Sequence, residues 1–155
     1  MEDCKLVLTP MLIGCKLSID DSSKDVDQRM YRSMIGSLLY VTTSRTDVML
    51  AVGKVVRFQA VPKESHVIAV KRIFQYLKGT TKYGLWYPKG NELTIKAYID
   101  ADWARSIDDH KSTSGAALYL GGCLVLWLSK KQSSISLSIA EAEYIPTTTC
   151  CTQVL

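Results

Sequence analysis

The residues from 93 to 100 alternate between apolar and polar side chains, and this alternation constrains the fold more than any other feature. The odd-numbered residues are apolar: Leu93, Ile95, Ala97 and Ile99. The even-numbered residues carry polar groups: Thr94, Lys96, Tyr98 and Asp100. A period of two is typical of a β-strand with two different faces. Apolar residues upstream recur at helical spacing instead, so the sequence predicts helices followed by a sheet.

Three segments in the first half have apolar residues at helical spacing. We expect helices at residues 28–43, 46–60 and 64–78, the last followed by Gly79, a residue that commonly ends a helix. Residues 1–27 show no sustained period, so we expect an extended lead-in there.

Two further strands and one helix are expected after the alternating segment. The strands cover residues 113–120 and 123–129, and the Gly121-Gly122 pair between them is a hairpin signal. Ser138 begins the sequence S-I-A-E, a capping box that ends at Glu141 and opens a helix. The expected fold class is α+β, with a helical region followed by an antiparallel β-meander and one helix.

Composition and the first residues bound the class of protein. The 47% of apolar residues suffice for a core, and the net charge of +4 permits a nucleic-acid partner, although solvated surface lysine explains such a charge more often. The N-terminus is acidic where a signal peptide is basic, and no apolar run approaches the roughly 20 residues of a membrane span. We therefore expect an intracellular protein, cytoplasmic or nuclear, without a membrane partner.

Two aspartates stand at the end of the alternating segment. Asp100 and Asp102 are two residues apart, so both carboxylates share one face of a strand. Two carboxylates that lie so close together repel each other unless a proton or a cation lies between them. Oxygen ligands of this kind suit Mg²⁺. The alternative is an ordinary acidic strand end in water, which is the commoner case for an isolated pair.

Two glutamates lie in the first turns of the last expected helix. The capping box and the helix dipole account for Glu141. Glu143 needs another reason, and it would meet Asp100 if the helix packed across the sheet. A strand aspartate and a helix glutamate could then converge on one metal ion.

The chain carries a series of motifs in a fixed order. In the second half they are Y-I-D-A-D-W-A at 98–104, D-D-H-K-S-T-S-G at 108–115, S-K-K-Q at 129–132 and A-E-A-E-Y-I at 140–145. Upstream they are D-C-K-x-x-x-T-P-M at 3–11, Y-R-S-M-I-G-S-L-L-Y at 31–40 and K-R-I-F-Q-Y-L-K-G-T at 71–80. Together they resemble the region of copia-type (Pseudoviridae) retrotransposon Pol polyproteins that joins the reverse transcriptase to its ribonuclease H.

This resemblance implies a domain organisation and a chemistry. It implies a helical connection region of the reverse transcriptase at 28–82 and a truncated ribonuclease H-like domain at 83–155. Asp100 and Glu143 would be catalytic and would hold Mg²⁺ for two-metal hydrolysis of the RNA strand of an RNA–DNA hybrid. The implied partners are that hybrid and the rest of the Pol polyprotein, with no small-molecule substrate. Lys130 and Lys131 would contact the hybrid backbone, with plain solvation as an equal alternative.

The chain also departs from the family pattern. The family places a further essential aspartate beyond the glutamate helix, and these 155 residues do not contain it. Pro146 falls inside the expected helix, where proline costs about 3 kcal/mol or more. We therefore expect the chain by itself to be inactive as a ribonuclease H. The alternatives are a non-enzymatic nucleic-acid-binding or effector-like interaction protein, and a piece of a longer active polyprotein.

Overall fold

The computed structural model describes residues 5–19, 22–90 and 92–154 and divides the chain into two compact units, Met1–Gly84 and Leu85–Leu155. The first unit contains helices α1 (Gln28–Val41), α2 (Met49–Val55) and α3 (Glu64–Gly79). The second contains strands β1 (Ile95–Asp102), β2 (Thr113–Leu120) and β3 (Cys123–Lys131) and helix α4 (Ile139–Val154). The expected α+β class is confirmed. No helix in the described ranges is both long and apolar enough to cross a bilayer.

The segment at 1–27, which was expected to be an extended lead-in, lies partly outside the described residues. Its residues 1–4, 20 and 21 are outside the described residues. The remainder contains no helix before α1, and an isolated bridge joins Asp25 to Lys63 just before α3 begins.

The core of the first unit is built from one stripe of each helix. On α1 the buried stripe is Tyr31, Ile35 and Leu38. The apolar spacing of the sequence also predicts Met30 and Leu39 on the core side, but they are 44% and 46% exposed. The stripe turns toward Tyr31 because its hydroxyl group donates a 2.7 Å hydrogen bond to the backbone oxygen of Val55. A tyrosine whose ring is packed in the core and whose hydroxyl group is hydrogen-bonded gains more from burial than a methionine, which forms no such hydrogen bond.

A nearly buried arginine connects the end of α1 with the end of α3. Arg45 is 9% exposed, and its guanidinium group donates to both carboxylate oxygens of Asp47 at 2.9 and 2.7 Å and to Thr80. The Tyr76 hydroxyl group also donates to Asp47, at 2.8 Å. A buried charge requires this degree of hydrogen bonding.

The segment predicted as one helix at 46–60 is α2 flanked by 3-10 turns at Thr46–Val48 and Val56–Phe58.

The sheet of the second unit has the order β1-β2-β3, and both pairs are antiparallel. The predicted hairpin is confirmed: Gly121 and Gly122 have φ angles of 60° and 79°, the left-handed conformation that two-residue hairpins require. The resemblance to the ribonuclease H region also implies that Asp100 ends a central strand of the meander, and this expectation is wrong. Among the described strands β1 is at an edge, and it continues beyond Asp100 to Asp102.

The last helix continues through Pro146, and the side chain of Gln132 supplies the hydrogen bond that the proline removes. Proline has no N–H group, so Pro146 leaves the oxygen of Ala142, four residues earlier, without its helical donor. The Gln132 amide nitrogen donates to this oxygen at 2.8 Å and to the hydroxyl oxygen of Ser114 at 3.0 Å. The hydroxyl group of Ser136 donates to the Gln132 amide oxygen at 2.9 Å. The expected cost of Pro146 is thus partly offset.

The first testable prediction concerns this substitute bond. We expect Gln132→Ala to lower the free energy of unfolding of the second unit by about 1–3 kcal/mol, because it leaves a buried acceptor unpaired. In a Pro146→Ala background the helix regains its own donor, so the same substitution should cost less. Urea unfolding followed by tryptophan fluorescence measures this unit, because all three tryptophans lie in it. The exposed Gln153→Ala is the control, and equal costs of Gln132→Ala in both backgrounds would contradict the assignment.

The second prediction concerns the stability of the first unit in acid. Hydrogen bonds from Arg45 hold the pKa of Asp47 below its ordinary value, and the Tyr76 hydroxyl group adds to this effect. The stabilisation is therefore complete above the pKa of Asp47 in the unfolded chain and is lost as pH falls through its pKa in the folded chain. We expect Asp47→Asn to cost about 2 kcal/mol at neutral pH and progressively less below about pH 4. Amide hydrogen exchange in α1 and α3 measures the free energy of unfolding of the first unit. A cost of Asp47→Asn that does not depend on pH would refute the stabilising role of the Arg45–Asp47 hydrogen bonds.

Candidate metal centre

The two acidic residues singled out as a metal-binding pair line the same cavity. Asp100 of β1 and Glu143 of α4 border an open cavity of about 340 Å³. The other residues lining it are Ile99, Ala140, Tyr144 and Thr147. Two acidic residues more than forty positions apart in the sequence thus line one cavity.

Asp100 approaches this cavity at the open edge of β1. Gln132 links Ser114 of β2 to α4, and Ser114 lies opposite Ala101 in the sheet. Because side chains alternate along a strand, Ile99 and Ala101 share the face that carries α4, and Asp100 belongs to the opposite face. Asp100 therefore borders the cavity at the strand edge, where the described sheet ends, and does not meet Glu143 across the face of the sheet.

The neighbouring acids have other partners. Asp102 accepts a 3.1 Å hydrogen bond from the guanidinium group of Arg105. Glu141 accepts from the backbone N–H of Leu137 at 2.7 Å, and its own N–H donates to the hydroxyl oxygen of Ser138 at 3.2 Å. The interpretation of Glu141 as a capping residue is confirmed, with its carboxylate bound one residue earlier than in the standard capping box.

The donor chemistry of the cavity suits a hard divalent cation, but the number of ligands is small. Within the described residues, no cationic side chain forms an ion pair with Asp100 or Glu143, and no three acidic, histidine or cysteine residues converge as a metal-binding group. Magnesium prefers six oxygen ligands, and proteins commonly supply one or two carboxylates while water and phosphate supply the others. The pair fits that minimum.

The two lysines expected to contact nucleic acid have different surroundings. The Lys131 ammonium group lies 2.6 Å from a carboxylate oxygen of Asp109. Loss of solvent raises the pKa of Asp109, but hydrogen bonds from Lys131, the Ser106 hydroxyl group and the Lys111 backbone outweigh this and lower it to about 2. Lys130 is exposed, and adjacent strand residues point to opposite faces. The two lysines therefore do not form one basic patch.

Sequence reasoning did not single out two residues that line the cavity, Tyr144 and Thr147. They follow Ala140 and Glu143 at helical spacing, so one stripe of α4 borders the cavity. Once Glu143 was chosen, this spacing could have identified them. Asp109 was also missed, because nothing local indicates that a loop aspartate pairs with Lys131.

Comparison with known proteins gives matches to polyproteins and to shorter proteins. The chain is 44% identical over 144 residues to the retrovirus-related Pol polyprotein from transposon RE1 of Arabidopsis thaliana, which covers 93% of the chain and 10% of the polyprotein. It is 39% identical to the retrovirus-related Pol polyprotein from transposon TNT 1-94 of Nicotiana tabacum, covering 96% and 12%. It is 38% identical to secreted RxLR effector protein 161 of Plasmopara viticola, covering 74% and 82%.

The chain therefore spans about a tenth of the length of the polyproteins it matches. No protein-family model matches it. No solved structure matches it either.

The third prediction separates the roles of the adjacent lysines. We expect Lys131→Met to raise the pKa of Asp109 from about 2 toward the ordinary value of about 4 for an aspartate, because the substitution removes the nearer of its two cationic partners and leaves Lys111 at 4.0 Å. Lys130→Met, which makes the same change one residue earlier, should leave that pKa unchanged. Carbon-13 NMR titration of the aspartate carboxyl groups measures both. Equal shifts in the two variants would show that the ion pair is not the cause.

Proposed function

Because the chain belongs to a family that includes a segment of the retrovirus-related Pol polyproteins of copia-type transposons, we propose that its second unit supplies part of a ribonuclease H site. In this proposal Asp100 and Glu143 are two ligands of a magnesium centre that hydrolyses the RNA strand of RNA–DNA hybrids. The observation that carries the proposal is that these two residues border one cavity.

The surroundings of the two residues support this role. Asp102 and Glu141 are engaged by Arg105 and by the start of α4, whereas Asp100 and Glu143 have no cationic partner among the described residues. Two carboxylates within about 4–6 Å of each other repel, and a divalent cation between them relieves that repulsion. The proposal requires Asp100 and Glu143 to approach each other in this way. A cation bound there would neutralise charge on a scissile phosphate and lower the pKa of an attacking water.

The remaining parts of the reaction would come from the nucleic acid and from the rest of the polyprotein. Lys130 is the exposed member of the lysine pair and would contact the hybrid backbone, while Lys131 would hold the Asp109 loop. Residues 28–82 would form the connection to the reverse transcriptase, and 83–155 the ribonuclease H-like part. Residues 1–155 alone would not cleave a hybrid, because two carboxylates are too few to hold two metal ions in place.

The fourth prediction tests the centre in the chain as it exists. We expect weak Mn²⁺ binding, detected as paramagnetic broadening of the NMR signals of Ile99 and Thr147, because both residues line the cavity. Asp100→Asn and Glu143→Gln should each weaken this binding about tenfold or more, since each removes one of two charged ligands. The matched variants Asp102→Asn and Glu141→Gln should leave it within about twofold, because they lie outside the cavity.

Two outcomes would contradict this account. Broadening that is the same in all four variants would refute the assignment of Asp100 and Glu143 as the metal ligands. Cleavage of a labelled RNA–DNA hybrid by the wild-type chain that disappears in Asp100→Asn would support the site but refute the inactivity of the isolated chain.

A second candidate function is a non-enzymatic, effector-like interaction protein. The observation in its favour is that the chain matches 82% of the length of the Plasmopara viticola effector, against about a tenth of the polyproteins. Hybrid binding distinguishes the two. A chain derived from a ribonuclease H should bind an RNA–DNA duplex in a salt-dependent way that Lys130→Glu weakens. A chain that binds no hybrid at any salt concentration would favour the interaction protein.

A further inference from the structure

A continuous path of hydrogen bonds joins the end of β1 to the turn of α4 that carries a candidate metal ligand. Trp103, which directly follows β1, donates its indole N–H to the backbone oxygen of Ser136 at 3.1 Å. The Ser136 hydroxyl group donates to the Gln132 amide oxygen at 2.9 Å, and the amide nitrogen donates to the Ala142 oxygen at 2.8 Å. Ala142 directly precedes Glu143. The two elements that carry the candidate ligands are thus connected by directional bonds as well as by apolar packing.

The surroundings of the Gln132 amide group fix its orientation. Gln132 and Ser136 are 5% and 3% exposed, so both lie in the interior of the second unit. A backbone oxygen only accepts hydrogen bonds, so the Ala142 oxygen requires the amide nitrogen, and not the amide oxygen, on its side. The Gln132 backbone N–H donates in turn to the backbone oxygen of the fully buried Ser112 at 2.9 Å. Gln132 is therefore held at its backbone and at both polar atoms of its side chain.

The turn of α4 around Glu143 depends on side chains for its backbone hydrogen bonds. Because Pro146 has no N–H group, the helix itself cannot bind the Ala142 oxygen, and helices commonly bend at such a point. The next backbone oxygen, that of Glu143, accepts a 2.9 Å hydrogen bond from the Thr147 hydroxyl group. Two successive carbonyl groups of this turn are thus bound by side chains, and Gln132 supplies the one donor that comes from outside the helix.

We propose that Gln132 is a positioning residue for the candidate metal centre, and this inference rests on the proposed function. Its amide group holds the Ala142–Glu143 turn in the orientation from which Glu143 reaches a cation shared with Asp100. Gln132 is not among the residues that line the cavity, so it acts through the helix backbone and not as a ligand. Groups that orient metal ligands in this indirect way typically contribute about 10–100-fold to metal affinity.

A purely stabilising role of Gln132 makes a different prediction from a positioning role. Both roles predict that Gln132→Ala lowers the free energy of unfolding, because a buried acceptor loses its donor. Only a positioning role predicts weaker metal binding that a substitute donor restores. Pro146→Ala supplies that donor, since residue 146 regains the N–H group that binds the Ala142 oxygen in an uninterrupted helix.

A Mn²⁺ titration of the full chain, followed by broadening of the NMR signals of Ile99 and Thr147, tests the proposal. We expect Gln132→Ala to weaken Mn²⁺ binding about fivefold, which is less than the loss of a ligand carboxylate. In the double variant with Pro146→Ala, binding should return to within about twofold of that of Pro146→Ala alone. Leu126→Ala is the control for lost stability, because Leu126 of β3 takes no part in these hydrogen bonds. It should leave Mn²⁺ binding unchanged.

Amide hydrogen exchange of the metal-free chain tests the same bond without a cation. We expect Gln132→Ala to speed exchange in the turn at 142–147, because this turn opens locally when the Ala142 oxygen loses its donor. The double variant with Pro146→Ala should regain the protection. Leu126→Ala should instead change exchange throughout the second unit, as a general loss of stability does.

Failure of the positioning role and failure of the magnesium centre give different results. A wild-type chain that binds no Mn²⁺ in the cavity would refute the proposed centre and the positioning role with it. Wild-type binding that Gln132→Ala leaves unchanged would refute the positioning role alone. Weakened binding that Pro146→Ala does not restore, or that Leu126→Ala reproduces, would show that Gln132 only stabilises the fold.

Discussion

The amide group of Gln132 holds together the part of the fold on which the candidate metal centre depends. Gln132 is 5% exposed, and its nitrogen donates to Ser114 of β2 and to the Ala142 oxygen of α4. That oxygen has no helical donor because Pro146 follows it by four residues. One side chain thus fastens α4 to the sheet and repairs the helix within one residue of Glu143. The position of the candidate ligand follows from this bond.

The elements of the fold were predictable where a local pattern specifies them. Alternation from 93 to 100, the Gly121-Gly122 pair and the capping box at Ser138 each act within a few residues, and each predicted element is present. The repair of Pro146 was not predictable, because Gln132 is ten residues from the Ala142 oxygen it satisfies. Strand order was not predictable either: periodicity distinguishes the faces of a strand but does not specify its neighbours, so β1 was wrongly expected at the centre.

The candidate site was predictable only in part. Charge and spacing favoured ordinary solvated acids, and the resemblance to copia-type Pol polyproteins singled out Asp100 and Glu143. The structure adds a physical distinction among the acids, since Arg105 and the start of α4 engage Asp102 and Glu141 while the other two line a cavity. It also places Asp100 on a strand at the edge of the described sheet.

The central claim is that Asp100 and Glu143 share one divalent cation. The most direct measurement is anomalous diffraction from crystals of the chain soaked in Mn²⁺, an ion that replaces Mg²⁺ at carboxylate sites. The account predicts an anomalous peak within about 2.0–2.6 Å of a carboxylate oxygen of each residue. A peak bound only by Asp102 or Glu141, or no peak in the cavity at a saturating Mn²⁺ concentration, would contradict it.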